Sequence, residues 1–288
     1  MAAGAGALPQ PRRAPRRRRG GGRGRQSYLT PRAPIPRWMR TALAFGGGLT
    51  VIALWSALSY GGVYDEFFLP TPTTVASAWW DMITKQGFAS DIGASAGRIG
   101  LGFLLAAVIA VPLGIAIGSF RVVQSYFEPT LAAIRYMPAS AFIPLLILWL
   151  GIGEQEKVAV IFLGVFFSLT LLIADVSANV PQSLLNISYT LGASRRKVFT
   201  RVLLPACWPG VLDNLRIGMG WAWTYLIVAE LVAASSGIGH VILASSRTLS
   251  TDQVIAGILT IGALGLITDG LFRWAYRMLF PYAERTAR

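Results

Sequence analysis

The residues with the most chemical potential in this sequence are charged side chains within long apolar stretches: Asp175, Asp213, Arg216, Glu230 and Asp269. Because an ionisable group is costly to bury among apolar neighbours, each is a candidate for a functional site, for mutual pairing or for reaching an interface. Asp213 and Arg216 are three residues apart and are predicted to pair on one helical face. Glu230 is the stronger candidate for a solute pathway, because Trp221 and Trp223 precede it and indole N–H groups can donate to a small anion.

Residues for catalysis or metal binding are scarce. The single cysteine, Cys207, cannot form an internal disulfide, and the single histidine, His240, gives no metal-ligand spacing. A phosphate-binding loop of the form G-x-x-x-x-G-K-[ST] requires a glycine before its lysine. The residues before the three lysines are Thr84, Glu156 and Arg196. We therefore predict that the chain is not an enzyme, that it uses no cofactor or metal, and that any ATP would be hydrolysed on another chain.

A basic segment, residues 179–210, reads NVPQSLLNISYTLGASRRKVFTRVLLPACWPG. Apolar residues recur at helical spacing up to Gly192, where a glycine is typical of a helix C-terminus. A second amphipathic stretch follows and is predicted to end at Pro205 and Pro209. Two short helices joined at a glycine indicate a docking element in the aqueous phase. The alternative is an interfacial helix that lies on anionic lipid.

The composition explains what must position these residues. The chain is 54% hydrophobic and 14% charged, whereas a soluble domain carries about 25% charged residues. Lipid must therefore cover part of the surface. Most of the net charge of +13 comes from eleven arginines in residues 1–40, since the other 248 residues carry fifteen basic and thirteen acidic groups. The positive charge is thus concentrated in an N-terminal tail and does not indicate a nucleic-acid partner.

The chain divides into a tail and a membrane domain. Residues 1–37 are rich in Arg, Pro and Gly and are predicted to be disordered. Residues 38–288 form the predicted transmembrane domain, because a helix needs about 20 apolar residues to cross the hydrocarbon layer. Six spans are predicted, at residues 41–60, 98–119, 131–151, 158–178, 211–234 and 254–280. The predicted fold is an all-α, multi-pass helix bundle.

Small residues indicate where the predicted spans approach one another. Gly93 with Gly97, and Gly114 with Gly118, have the four-residue spacing that allows close contact between membrane helices.

Positive charge predicts the orientation of the bundle. With six spans both termini share one side, and that side receives the arginine tail and the basic residues of segment 179–210. The opposite side receives the acidic loop 61–97 and Glu154. We therefore expect both termini and segment 179–210 to be cytoplasmic.

Segment 179–210 resembles a known motif. Permeases of ABC importers carry a cytoplasmic loop with the pattern E-A-A, three residues, G, nine residues, I-x-L-P. Gly192, Val202, Leu204 and Pro205 stand at its glycine, isoleucine, leucine and proline positions, whereas Asn186, Ile187 and Ser188 replace E-A-A. The resemblance implies that the loop couples to an ATPase through Asn186, Gly192, Ala193, Phe199, Val202, Leu204 and Pro205.

A narrower resemblance covers residues 66–283, in stretches such as IPLLILWLGIGE, YTLGASRRKVF and SSGIGHVI. These are similar to the nitrate, sulfonate, taurine and bicarbonate branch of the same permeases. The resemblance implies the transmembrane domain of a type I ABC importer in the bacterial inner membrane. It also implies an ATP-binding cassette ATPase, an extracytoplasmic solute-binding protein and a second permease copy as partners, besides membrane lipid.

Two other function classes compete with this interpretation. A secondary transporter or channel would need no ATPase-docking loop and would often show inverted-repeat halves, which this sequence does not show convincingly. A membrane enzyme would need a cluster of His or Cys residues, which the sequence lacks.

The orientation can be tested by cysteine labelling in a Cys207→Ser background. We expect a cysteine at position 81 or 154 to react with an impermeant thiol reagent in intact cells. A cysteine at position 195 should react only after permeabilisation. The reverse pattern would contradict the predicted orientation.

Overall fold

The computed structural model describes residues 35–281, so the predicted disordered tail lies almost entirely outside the described residues. Between residues 35 and 281 the chain consists of helices and their connections, which confirms the all-α prediction. The α-helices are α1 (Arg37–Tyr60), α2 (Pro72–Lys85), α3 (Phe88–Ser119), α4 (Arg121–Ile134), α5 (Ile143–Leu150), α6 (Glu154–Ala178), α7 (Gln182–Thr190), α8 (Arg195–Val198), α9 (Leu204–Ala233), α10 (Ile238–Arg247) and α11 (Thr251–Leu279).

The described residues belong to two compact units, and the boundary falls within α1, after Leu54. In the first unit the described part is mainly the first part of α1, whose large apolar side chains, such as Leu43 and Phe45, are exposed. Its length and composition suit a membrane-crossing helix. The second unit holds all the other helices and is described below.

Close contact between α3 and α6 forms the centre of the second unit. A Cβ atom added to Gly114 would lie 2.6 Å from the carbonyl oxygen of Thr170 and 2.8 Å from Cβ of Ile173. Gly102 and Gly118 likewise lie directly against α6. The four-residue spacing of Gly114 and Gly118 therefore does allow the close helix packing predicted for it. Gly93 and Gly97 differ, since their Cβ positions meet no atom within 4 Å in the described structure.

The contacts along α3 and α6 show that the two helices are parallel. Arg98 in the first third of α3 pairs with Glu154 at the start of α6, and Ser119 at the end of α3 lies 2.8 Å from Ser177 near the end of α6. The distance from Arg98 to Ser119 along the helix is about 30 Å, the thickness of the hydrocarbon layer. The intervening residues 120–153 must therefore return across the bundle once.

The third predicted span, residues 131–151, is not one continuous helix. α4 ends at Ile134, and a 3₁₀ turn, Ala139–Phe142, leads into α5. The two halves, Arg121–Ile134 and Ala139–Leu150, are bent by 83°. Pro138 causes the break, because a proline disfavours helical geometry in the residue before it and has no N–H to donate. Pro144 fits the first turn of α5, where that N–H would be unpaired in any case.

Five described helices are long and apolar enough to cross a membrane, and the bent pair supplies a sixth crossing if it counts as one broken span. The helices exceed most of the predicted segments: α3 begins at Phe88 instead of residue 98, and α6 at Glu154 instead of residue 158. Two shorter amphipathic helices, α2 and α10, were not predicted from the apolar segments. The helices of the second unit form a multi-pass bundle.

The second helix of segment 179–210 does not end at Pro205 or Pro209, contrary to the prediction. α8 continues through a π-helical turn, Phe199–Leu203, directly into α9. Pro205 lies in the first turn of α9, and Pro209 lies inside it. The wider π turn changes the hydrogen-bond pattern just before Pro205, and prolines are tolerated in membrane helices when such local adjustments satisfy the freed carbonyl groups.

The close contact at Gly114 predicts a marked effect of a single methyl group. Gly114→Ala should destabilise the protein by about 1–3 kcal/mol, because the new Cβ meets the α6 backbone and not a movable side-chain end. Gly97→Ala in the same helix is the matched control and should be neutral or slightly stabilising, since its Cβ meets open space. Thermal unfolding of the purified full-length protein measures both. Equal melting temperatures for the two variants would contradict the packing described here.

Candidate functional site

The helix pair α7–α8 is joined by a well-formed C-terminal cap at Gly192. The Gly192 N–H donates to the Tyr189 carbonyl at 2.9 Å, and the Ala193 N–H donates to the Ser188 carbonyl at 3.0 Å. This is the Schellman arrangement, which requires a left-handed residue after the helix. Gly192 provides it with φ +79°. The predicted glycine corner between two short helices is therefore present in the structure.

Part of this element is fixed to the bundle. Val198 and Leu203 are buried, and the Phe199 ring stacks on Phe120 with a centroid distance of 5.5 Å. Val202 and Leu204 are half-buried on the same continuous helix. Phe120 was not identified from the sequence, although its position between α3 and α4 places it at the same end of the bundle.

The opposite part of the element is exposed. Leu191 is 82% exposed and Ile187 is 59% exposed, and Leu184 and Tyr189 are exposed beside them. Asn186 lies on α7 and accepts a hydrogen bond from Gln182 at 3.2 Å. Arg195, Arg196 and Lys197 follow on α8 with exposed side chains. An apolar patch rimmed by polar and basic groups is typical of a protein–protein interface.

The predicted pathway residues on α9 do not share one environment. Trp223 is buried, and its indole N–H donates to the Thr268 hydroxyl at 3.2 Å, so this donor is already used. Trp221 is half-buried and packs against the main apolar core. Glu230, two turns beyond Trp223, is fully buried. A role of Trp221 and Trp223 in a solute pathway stays a prediction.

Glu230 belongs to a buried ion cluster with Arg98. The Arg98 nitrogen Nη1 donates to Glu230 Oε1 at 2.6 Å and to the Ser236 carbonyl at 2.8 Å. The other two guanidinium nitrogens donate to the two carboxylate oxygens of Glu154, each at 2.6 Å. The side chains of Arg98 and Glu230 are 2% and 0% exposed, whereas that of Glu154 is 65% exposed. The cluster thus connects α3, α6 and α9 at one end of the bundle.

The same cluster holds the loop that leads into α10. Glu230 accepts from the Gly239 N–H at 2.7 Å and from the Ser95 hydroxyl at 2.7 Å. Ser95 in turn accepts from the Ile238 N–H at 2.9 Å, and Asp91 accepts from the Gly237 N–H at 2.7 Å. Acidic groups at the start of α10 satisfy its unpaired N–H groups and interact favourably with its dipole.

These contacts hold the helices together at this end of the bundle, and the sequence did not predict the pairing of Arg98 with Glu230. Glu230 stood out as an acidic residue within an apolar stretch, but Arg98 stood at the first position of a predicted span and looked like an ordinary boundary arginine. Both carboxylate oxygens of Glu230 accept hydrogen bonds within the protein, from Arg98, Ser95 and the Gly239 N–H. Its participation in a solute pathway therefore stays a prediction, while its role as the partner of Arg98 is direct.

Of the other charges within the apolar stretches, Asp213, Arg216 and Asp269 pair near the other end of the bundle, whereas Asp175 forms no ion pair with a described residue. Arg216 lies 3.7 Å from Asp213, as the three-residue spacing predicted, and 3.7 Å from Asp269. Asp269 also pairs with Arg273. Within residues 35–281, no group of three His, Cys, Asp or Glu side chains is placed to hold a metal ion.

The family model for the inner membrane component of binding-protein-dependent transport systems matches residues 110–280. A probable ABC transporter permease of Brucella abortus (strain 2308) is 35% identical over 243 residues, which cover 83% of this chain and 97% of the relative. The taurine transport system permease of Escherichia coli (strain K12) is 31% identical and covers 87% and 92%. A putative aliphatic sulfonates transport permease of Bacillus subtilis (strain 168) is 32% identical and covers 85% and 88%.

Among solved structures, a methionine ABC transporter in an inward-facing conformation superposes with a TM-score of 0.53 at 16% identity. The match covers 65% of this chain and 94% of that one. At this identity the likeness concerns the fold.

The ion cluster predicts that substitutions of its two glutamates lower the unfolding free energy by different amounts. Glu230→Ala should cost about 3–5 kcal/mol of unfolding free energy, because it leaves part of the buried guanidinium and the Gly239 N–H without a partner. Glu154→Ala is the matched control, since it removes the exposed partner of the same arginine, and should cost about 1 kcal/mol or less. Denaturation of the purified full-length variants measures both, and a Glu154 variant as unstable as the Glu230 variant would refute this assignment.

Proposed function

Because this chain belongs to the family of binding-protein-dependent transport system inner membrane components, we infer that it is the permease subunit of an ABC importer for a small polar solute. The observation that carries the proposal is the α7–α8 element, in which an exposed apolar patch is built around a glycine corner. A channel or a gradient-driven transporter would have no use for such an element. The family is one of transporter permeases, and the protein is a multi-pass membrane protein.

The α7–α8 element docks the ATPase in this proposal. Ile187 and Leu191 provide the apolar contact, and Arg195, Arg196 and Lys197 provide charges that steer an acidic partner surface. Asn186 replaces the acidic residue of the related loops, so this chain seats its partner with an uncharged side chain. ATP is hydrolysed on the partner, because none of the three lysines here lies in a phosphate-binding loop.

The docking role sets the orientation of the bundle. An ATPase works in the cytoplasm, so α7–α8 and both termini are cytoplasmic and the membrane is the bacterial inner membrane. The Arg98 cluster lies at the opposite end, because Arg98 in the first third of α3 pairs with Glu154 at the start of α6, and both helices end beside segment 179–210. A solute-binding protein delivers its ligand at that outer end, and a second copy of the chain completes the pathway.

The solute is an anion or zwitterion of low mass. The relatives named above transport taurine and aliphatic sulfonates by their names, and the same class suits this chain. Trp221 and Trp223 are our candidates for the pathway wall from their position on α9.

The docking proposal predicts the consequence of a change at Gly192. Gly192→Val should strain the corner by about 1–2 kcal/mol, because a β-branched residue disfavours a φ of +79°. No neighbouring atom lies within 4 Å of the added Cβ, so the effect comes from the backbone and from the partner surface. We expect the variant to insert normally but to lose the ATPase on co-purification, or to keep it with ATP hydrolysis uncoupled from uptake.

Gly87→Val is the matched control. Gly87 has a similar φ of +74° and equally open space, but it lies between α2 and α3, close to Asp91 of the Arg98 cluster. This variant should have a similar backbone penalty and keep the ATPase. Wild-type co-purification and uptake for Gly192→Val would show that α7–α8 is not the docking element.

A further inference from the structure

A polar cavity of about 190 Å³ lies between α4 and α6, beside the end of α3. Its charged and amide groups are Gln124, Glu128 and Arg135 from α4 and the residue that follows it, together with Asp175 from α6. The rest of its wall is small or aliphatic. Arg135 and Asp175 are exposed at this cavity and Glu128 is half-buried, so charges of both signs face one open space.

The charges in this cavity are held apart by helix geometry. Glu128 and Arg135 are seven residues apart on one face of α4, which separates their backbones by about 10 Å along the axis. The Glu128 carboxylate and the Asp175 carboxylate form no ion pair or hydrogen bond with a described side chain. The polar partner of Arg135 is the neighbouring Tyr136, whose hydroxyl lies 3.2 Å from the guanidinium and whose ring lies beneath it at 5.1 Å.

This arrangement differs from the other intramembrane charges of the described chain. Arg98, Arg216 and Arg273 each contact a carboxylate within 4.0 Å. Arg135, by contrast, shares a cavity with two carboxylates and contacts neither. Space for a ligand therefore lies between a cation and two anions.

Arg135 also borders a second space that leads further into the bundle. Ser168, Gly164 and Tyr225 line it together with Arg135. Its volume of about 10 Å³ is too small for a solute. Ser168 is two helical turns from Asp175 on α6, so Arg135 lies between the open polar cavity and this smaller, mainly apolar space, at the break of the third span.

We propose that this cavity is a binding site for a small zwitterion on the transport path, with its sulfonate or carboxylate group on Arg135 and its ammonium group on Glu128 and Asp175. The proposal rests on the proposed function and narrows its substrate class. A simple anion fits less well, because two carboxylates and one guanidinium give the cavity a net negative charge. An amino sulfonate or amino carboxylate neutralises both ends at once, and the volume suits a molecule of that size.

The site can be tested on the full-length chain in membrane vesicles by thiol protection. Ala132 and Ala178 line the cavity without contributing a charge, so Ala132→Cys or Ala178→Cys in a Cys207→Ser background serves as an independent reporter. The rate of modification by a methanethiosulfonate reagent is measured with and without taurine, β-alanine, ethanesulfonate and ethylamine. We expect taurine or β-alanine at millimolar concentration to slow the modification, and neither singly charged compound to do so.

Substitution of the charges assigns the two ends of the ligand. Arg135→Gln should abolish protection, and Glu128→Gln or Asp175→Asn should raise the half-protecting concentration about tenfold, the effect of one charge-assisted contact. Asp213→Asn removes a carboxylate near the same end of the bundle but outside the cavity, and should change nothing.

Any one of three results would refute the site. The first is that neither zwitterion protects either reporter, and the second is that ethanesulfonate protects as well as taurine. The third is that Arg135→Gln leaves protection intact. Co-purification of the ATPase with the same full-length chain is a separate readout. If the ATPase is retained without protection, the zwitterion site alone is wrong; if protection is seen without ATPase binding, the importer assignment is wrong and the site stands.

Discussion

The bundle depends on the burial of one guanidinium group. Arg98 is almost fully removed from solvent, and a buried charge is tolerated only when it is paired and its hydrogen-bond donors are used. Glu230, Glu154 and Ser236 meet this requirement together, and they come from three different parts of the chain. The same carboxylate of Glu230 holds the start of α10. Helix positions at this end are therefore set by the need to satisfy one arginine, and not by apolar packing alone.

Small residues extend that constraint along the bundle. Arg98 fixes the first third of α3 against the start of α6, and Gly102, Gly114 and Gly118 then allow the two backbones to remain in contact over about the thickness of the hydrocarbon layer. Two parallel neighbours require a return crossing between them, and residues 120–153 must provide it. The return crossing thus follows from the parallel pairing of α3 and α6, whereas its break follows from Pro138 and places Arg135 at the point where the helix is interrupted.

Apolar length and the Gly192 corner were the features that the sequence predicted well, because both depend on local chemistry. Hydrocarbon thickness selects segments of about 20 apolar residues, and a left-handed corner selects glycine. The features it did not predict depend on distant partners. Nothing near Arg98 indicates that Glu230 lies beside it, 132 positions away. Pro205 looked like a helix end, but a π turn and the packing of Leu203 and Cys207 in the core carry the helix past it.

The two ends of the bundle differ in a way that suits coupling. At the Arg98 end the buried charges are paired, so relative motion of the helices there would separate ions in a low dielectric and is strongly opposed. At the other end Glu128, Arg135 and Asp175 are not paired with one another, and the α7 surface is exposed. α8, the π turn and α9 form one continuous helix that runs from Arg195 past Glu230. A displacement of α7–α8 would therefore be transmitted as a tilt of α9 about its anchored far end. Tyr225 on α9 packs against Gly164 of α6, and both line the small space beside Arg135, so a tilt of α9 would act on this contact.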